Sequence, residues 1–204
     1  MGFQYPKLEL LTSSVISLLT TTETKNWLKV DHTVDDSLIA ELIQTSTDYI
    51  ENETGISLFS QTWKQYQEGG CEQIELFKEP VQSINSVTYY DDFDSTGTIL
   101  TENTDFRKSS NYLIHVNNYW DEGRPIDGYQ ISYTVGKYTT TISTATAEAS
   151  TFKTAALKMC AWLYENREEF LTEIQEGINV KYDYTKVPQT IVRLLRPLSV
   201  KVGM

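Results

Sequence analysis

The chain has 204 residues and a formal net charge of −11, with 28 acidic against 17 basic side chains. Its 40% hydrophobic and 22% charged content fits a folded chain with one good core, or a small core carrying one elaborated module. So acidic a balance excludes a general nucleic-acid binder, which needs a basic surface to neutralise phosphates, although acidic walls can still let DNA slide past.

Residues 1–20 are mixed and Ser/Thr-rich and are expected to form an extended N-terminal arm. They lack a charged region followed by an apolar run, so no signal peptide is expected. No apolar stretch approaches the ~18–20 residues needed to span a bilayer, so no membrane contact is expected. A short helix should begin near Thr22, with Thr22 as its cap. Asp35 and Asp36 then open a longer helix, in which Leu38, Ile39, Leu42, Ile43, Ser46, Tyr49 and Ile50 share one face at 3.6-residue spacing and Gly55 is a natural stop.

From Ser60 the period changes. Segments 62–66, 74–77, 84–90, 112–116 and 129–135 are rich in aromatic and β-branched residues, several alternate with period two, and turn signals separate them. They predict a small, mainly antiparallel β module over 60–136, of five to seven strands, inserted between helices. Residues 139–147 (TTTISTATA) read as a connecting loop. A long helix over 149–168 follows, with Phe152, Ala155, Ala156, Met159, Trp162 and Leu163 in one stripe and Leu157, Ala161 and Tyr164 in a second. A helix apolar on two sides needs two partners, one of which could be a neighbouring subunit.

Residues 170–186 read as a loop, and 187–204 as a separate tail. Pro188 suits a first helical turn, Pro197 ends the helix, and Ile191, Leu194, Leu195 and Leu198 recur at i, i+3, i+4, i+7 while Arg193 and Arg196 point the other way. From Lys186 onward there are four basic residues and no acidic one, which leaves 13 basic and all 28 acidic residues to the rest of the chain. A helix of roughly ten residues is marginal alone, so its apolar face needs a surface. Two readings stay open: the tail folds back on its parent domain, or it docks on a foreign partner. The charge contrast favours the second, which predicts that a chain lacking 187–204 still folds.

No catalytic constellation emerges. Asp92, Asp94, Thr96 and Gly97 start like a calcium loop, but Asn103 stands where a bidentate Glu is required, so a solvated hairpin turn is expected. His32 and His115 are far apart with no second ligand nearby, and neither accompanies a recognisable nucleophile motif. Glu165, Glu168, Glu169, Glu173 and Glu176 read as a solvated face rather than a pair of acids in a cleft. Arg167 either pairs with a carboxylate, its own chain's Glu165 or another subunit's, or is an exposed helix-end charge. Cys71 and Cys160 form no CxxC pair and are expected to be reduced, as suits synthesis in a cytosol. Neither an enzymatic activity, a cofactor nor a metal is expected.

The fold class that follows is α+β: a helical bundle of N-terminal helices (21–54) plus a long C-terminal helix (149–168), with an inserted small antiparallel β module and an extended C-terminal tail. The motifs, taken in order, resemble the phage head–tail connector (adaptor, head-completion) family. The opening carries ISL at 16–18, WLKVD at 27–31, Asp35, Asp36 and Thr54, Gly55; the middle carries QTW at 61–63, PVQSINSVTYYD at 80–91 and ISYTVG at 131–136; the end carries AWLYENRE at 161–168, Val187, Pro188 and Leu194, Leu195. The arm before Ser17 is not diagnostic, and the Ser/Thr-rich stretch 139–151 replaces the family's shorter, proline-marked entry to the long helix.

The resemblance implies a connector domain over 21–186 and a structural virion protein at the head–tail interface, made in the host cytoplasm. Such a protein forms a homo-oligomeric ring, commonly a dodecamer, beneath the portal, extends the DNA channel and presents a platform to a neck or tail-completion protein. DNA would pass through without specific binding. The family's C-terminal segment typically engages the portal, which makes Ile191, Arg193, Leu194, Leu195, Arg196 and Leu198 the expected partner-binding residues. The alternative is a monomeric module whose tyrosine-rich β region binds carbohydrate or peptide.

Overall fold

The helical parts start where the sequence supplies caps. Thr20 caps the first helix, α1 (Thr21–Leu28): its hydroxyl accepts from Glu23 N at 3.1 Å, while the Glu23 carboxylate accepts from Thr20 N at 3.0 Å. This reciprocal pair needs a carboxylate three residues after the cap, which Thr20 has and Thr22 lacks. The cap therefore lies two residues before the position expected from the sequence. The computed structural model describes residues 7–14, 16–92, 96–117, 119–121, 123, 127–138, 146–166 and 187–199.

These residues form two compact units, one from Met1–Val15 with Ile56–Thr139 and the other from Ile16–Gly55 with Thr140–Met204. The class is α+β, as the patterning predicts, with four α-helices and antiparallel sheets among the described residues. None of these helices is long and apolar enough to cross a membrane.

In the helical unit, α2 (Asp36–Thr54) buries Ile39, Ile43, Ser46 and Ile50 from the expected stripe, and adds Thr47 and Thr54. The two threonines are tolerated inside because each hydroxyl donates to the carbonyl four residues earlier, Ile43 O at 2.8 Å and Ile50 O at 2.7 Å. Gly55, at φ 72°, ends the helix in the left-handed region that glycine enters without steric cost. The long helix α3 (Ala147–Glu165) begins on the Thr146 cap and buries Ala149, Phe152, Ala155, Ala156, Met159, Cys160 and Leu163. It packs on α2, where Ser46 Oγ and Cys160 Sγ meet at 3.2 Å. The second stripe, Leu157, Ala161 and Tyr164, is half-buried, and the Tyr164 hydroxyl donates to Asp35 at 2.5 Å. Lys25–Asp36 at 2.6 Å and Lys153–Glu23 at 3.1 Å tie α1 to its neighbours. The fourth helix, α4 (Gln189–Leu195), packs against α3 and α2.

In the β unit, eight strands among the described residues make two sheets. They are β1 (Lys7–Thr12), β2 (Gln61–Gln67), β3 (Gln73–Glu75), β4 (Val81–Tyr89), β5 (Thr98–Leu100), β6 (Phe106–Ser109), β7 (Tyr112–His115) and β8 (Tyr129–Val135). The first sheet runs β1-β2-β8-β4-β5 and the second β3-β7-β6, every pairing antiparallel. Strand β8 shows the alternation most cleanly: Tyr129, Ile131, Tyr133 and Val135 are buried while the residues between them are not. They join Ile74, Leu76, Val87, Phe106, Leu113 and Trp120 in one core. Three strands went unforeseen. β5 and β6 are too short to show a period, and β1, in the expected arm, is recruited to the sheet edge by backbone pairing with β2.

Gln65 is fully buried in this unit. Its amide donates to Glu75 O at 2.7 Å and Gln67 Oε1 at 2.8 Å, and its carbonyl accepts from Phe77 N and the Tyr133 hydroxyl, both at 3.2 Å. A buried amide left unpaired is costly, so this complete set is what lets a glutamine sit in the core.

Candidate docking surface

The C-terminal segment presents two different faces. Pro188 caps α4 without a side-chain bond, and Pro197 stands within a single 3-10 turn (Arg196–Leu198) that follows it. Val187, Ile191 and Leu195 are buried, the last two at 1% and 0% exposure, within the helical unit. Arg193 and Arg196 are exposed, and Leu194 and Leu198 are half-buried between the two faces. The expected apolar stripe therefore splits. Its i, i+4 pair is spent on the chain's own α2 and α3, and what remains outward is two guanidiniums flanked by the edges of two leucines. Over the described residues 187–199 the tail is folded back on its own unit, the first of the two readings that the sequence left open. Such a surface can hold an acidic partner through bidentate arginine contacts, and it offers no group suited to bond making.

The other sequence candidates gather no reactive centre. Asp91 and Asp92 are exposed in the turn after β4, while Asp94 lies outside the described residues. Among the described residues no group of three or more His, Cys, Asp or Glu side chains could hold a metal ion. His115 packs edge-on against Trp120, ring centroids 5.3 Å apart, and its Nδ1 accepts from Asn117 N at 3.3 Å. His32 Nε2 lies 3.9 Å from Asp35 at the surface. Glu165 is exposed, and Arg167, Glu168, Glu169, Glu173 and Glu176 lie outside the described residues. Burial pushes the Cys160 thiol up to about 11, and Cys71, half-buried, is raised for the same reason. Neither is an activated nucleophile.

A second surface was not read from the sequence. On the outer side of the five-stranded sheet the Lys7 and Lys64 amines lie 4.9 and 5.0 Å from the centre of the Tyr66 ring. The Tyr66 hydroxyl donates to Glu9 at 2.6 Å, and that bond chiefly, with burial and the Glu9 charge, pushes its pKa up to about 12. The signal available was the alternation of KLEL at 7–10, too short to stand out beside the Ser/Thr-rich residues that follow it.

The family model described as phage gp6-like head-tail connector protein matches residues 19–117, the same family that the sequence motifs resemble. Three solved structures share the fold along nearly the whole chain. A chain from the virion of a native gene transfer agent particle superimposes with a TM-score of 0.68 at 16% identity, covering 96% of this chain and 97% of that one. A chain from the neck of an empty gene transfer agent particle, computed with C6 symmetry, gives 0.66 at 14% identity, covering 97% of each. A chain from the neck of the native particle, computed with C12 symmetry, gives 0.64 at 15% identity, covering 96% and 97%. No curated protein matches the chain.

Proposed function

We propose that this chain is a structural virion protein, a head–tail connector that forms a ring under the portal, extends the DNA channel and joins the head to neck or tail proteins. One observation carries the reading: the connector family's signature over 19–117 lies on a fold shared along 96–97% of the chain with particle and neck chains. The C6 and C12 symmetries of the neck structures support a ring of many copies. In this reading the helical unit is a bundle into which the β module is inserted, and the protein is not an enzyme and needs no cofactor. Its net charge of −11 supports a channel that repels phosphates and lets the genome pass without specific binding.

The portal-facing group is Arg193 and Arg196 with the exposed edges of Leu194 and Leu198, while Ile191 and Leu195 anchor the helix from beneath. Purified chain added to portal-bearing heads that lack it tests this, with electron cryo-microscopy of the vertex as readout. A ring at the portal is expected, and Arg193→Glu with Arg196→Glu should weaken its binding at least about tenfold, as loss of paired interface charges does. Heads that recruit no wild-type chain would overturn the connector reading. Unchanged binding of the double variant would remove these residues from the contact.

A further inference from the structure

The five-stranded sheet ends in two unlike edges, and the register across it relates them. Lys7 stands opposite Tyr66, Tyr66 opposite Gln130, Gln130 opposite Thr88 and Thr88 opposite Ile99. The next row runs Leu8, Gln65, Ile131, Val87, Leu100. Inside the second row Gln65, Ile131 and Val87 are buried, so that row faces the core, and the Lys7–Ile99 row faces outward. Among the described residues neither β1 nor β5 pairs with a strand on its far side. An open edge of this kind is normally blunted, because its free backbone groups recruit other strands. β5 is only three residues long, and β1 carries Lys7 and a register shift between Leu10 and Thr12, yet both edges still expose aliphatic side chains, Leu10 at 46% and Leu11 at 47% on β1, and Ile99 at 72% on β5.

The edges also differ in charge. Beside β1 lie Lys7 and Lys64, with Glu9 already bonded to Tyr66. Around β5 the exposed charges are Asp91 and Asp92 in the preceding turn and Glu102 just after the strand. Four successive antiparallel pairings leave β1 and β5 running in the same direction. One rotational step in a many-membered ring leaves strand directions nearly unchanged, so β5 of one copy would meet β1 of the next in parallel. A contact between two different patches of the same chain is the head-to-tail kind that closes rings.

We propose that the occupant of the β1 edge is the β5 edge of a second copy of this chain, so that the sheet continues from subunit to subunit. Ile99 then lies against the neighbour's Lys7, Leu100 against its Leu8, and the Asp91–Asp92 turn against its Lys7 and Lys64. The inference rests on the ring reading above and names the surface that makes the ring.

Charge reversal in pairs tests it. Lys7→Glu/Lys64→Glu makes both edges negative, and Asp91→Lys/Asp92→Lys makes both positive, all at exposed or half-buried positions. Each variant alone should keep the wild-type circular dichroism spectrum and lose ring assembly by at least about tenfold in concentration. A one-to-one mixture should regain it, because unlike edges then alternate. A Lys7→Cys/Ile99→Cys chain, oxidised within assembled rings, should give a ladder of covalent multimers that neither single cysteine variant gives. Charge variants that assemble like wild type, or intact rings whose cysteine pair yields no ladder, would remove this contact and leave the ring standing. A wild-type chain that forms no ring on portal-bearing heads would remove the ring reading itself, and this contact with it.

Discussion

Leu195→Ala asks whether the C-terminal helix belongs to the helical unit's own core. Leu195 is fully buried where α4 packs against α3 and α2. The substitution removes three carbons; at about 0.8 kcal/mol for each, the lost transfer free energy is about 2.4 kcal/mol. The cavity left under a short helix pinned at both ends by proline raises this to about 3–4 kcal/mol, inside the range of buried Leu→Ala changes. In a chain of this size that is a fall of about 6–16 °C in Tm. Urea and thermal unfolding followed by helical circular dichroism at 222 nm reads the helical unit directly. Arg196→Ala, on the exposed side of the same segment, is the matched control and should stay within about 0.5 kcal/mol of wild type. A Leu195→Ala protein as stable as that control would refute the packing argument. The same reasoning reverses the expectation that a chain lacking 187–204 stays folded: the truncation strips Val187, Ile191 and Leu195 from the core at once, and the helical unit should lose most of its stability.

Two further predictions concern charge and caps. Thr20→Ala breaks the capping box and should cost about 0.5–2 kcal/mol. The Thr20 backbone bond chiefly, helped by Lys153, holds the Glu23 carboxyl below its usual 4.5, so its contribution is present above that pH and is lost as pH falls through the lowered folded value; acid titration of stability should be shallower in Glu23→Gln, whereas Thr20→Ala keeps that backbone bond and most of the slope. On the alkaline side, burial pushes Tyr133 up to about 12, against an ordinary value of 10. A raised folded pKa gives stability that is complete below pH 10 and lost as pH rises toward about 12, so wild type should destabilise over that window. Tyr133→Phe should flatten the loss, while costing about 1–3 kcal/mol at neutral pH by stranding Gln65 and Lys78 N without their hydroxyl partner. Tyrosinate absorbance at 295 nm, followed with unfolding, checks both.

Much was legible in the sequence because its signals are local and repeated. The α2 stripe runs for four turns and stops at a glycine whose left-handed φ few other residues accept. The β8 alternation fixes a buried and a half-buried side over seven residues, and α3 differs from expectation at its start by two residues, because a threonine cap sits where the pattern is still polar. The family model over 19–117 covers α1, α2 and strands β2 to β7, so of these three elements it includes α2 alone.

What only the tertiary structure decided is which surface meets which. The spacing of Ile191, Leu194, Leu195 and Leu198 determines that a helix has an apolar face; it carries no information on whether that face is covered by the chain's own α2 and α3 or by another molecule. Likewise KLEL at 7–10 can alternate alone, but its place at a sheet edge depends on backbone pairing with residues more than fifty positions away. Gln65 would be read as a surface residue by its polarity. It is interior only because four partners converge on one amide, Gln67 from its own strand, Glu75 O and Phe77 N from the segment that follows and the Tyr133 hydroxyl from β8, and that full set exists only once the chain has closed on itself.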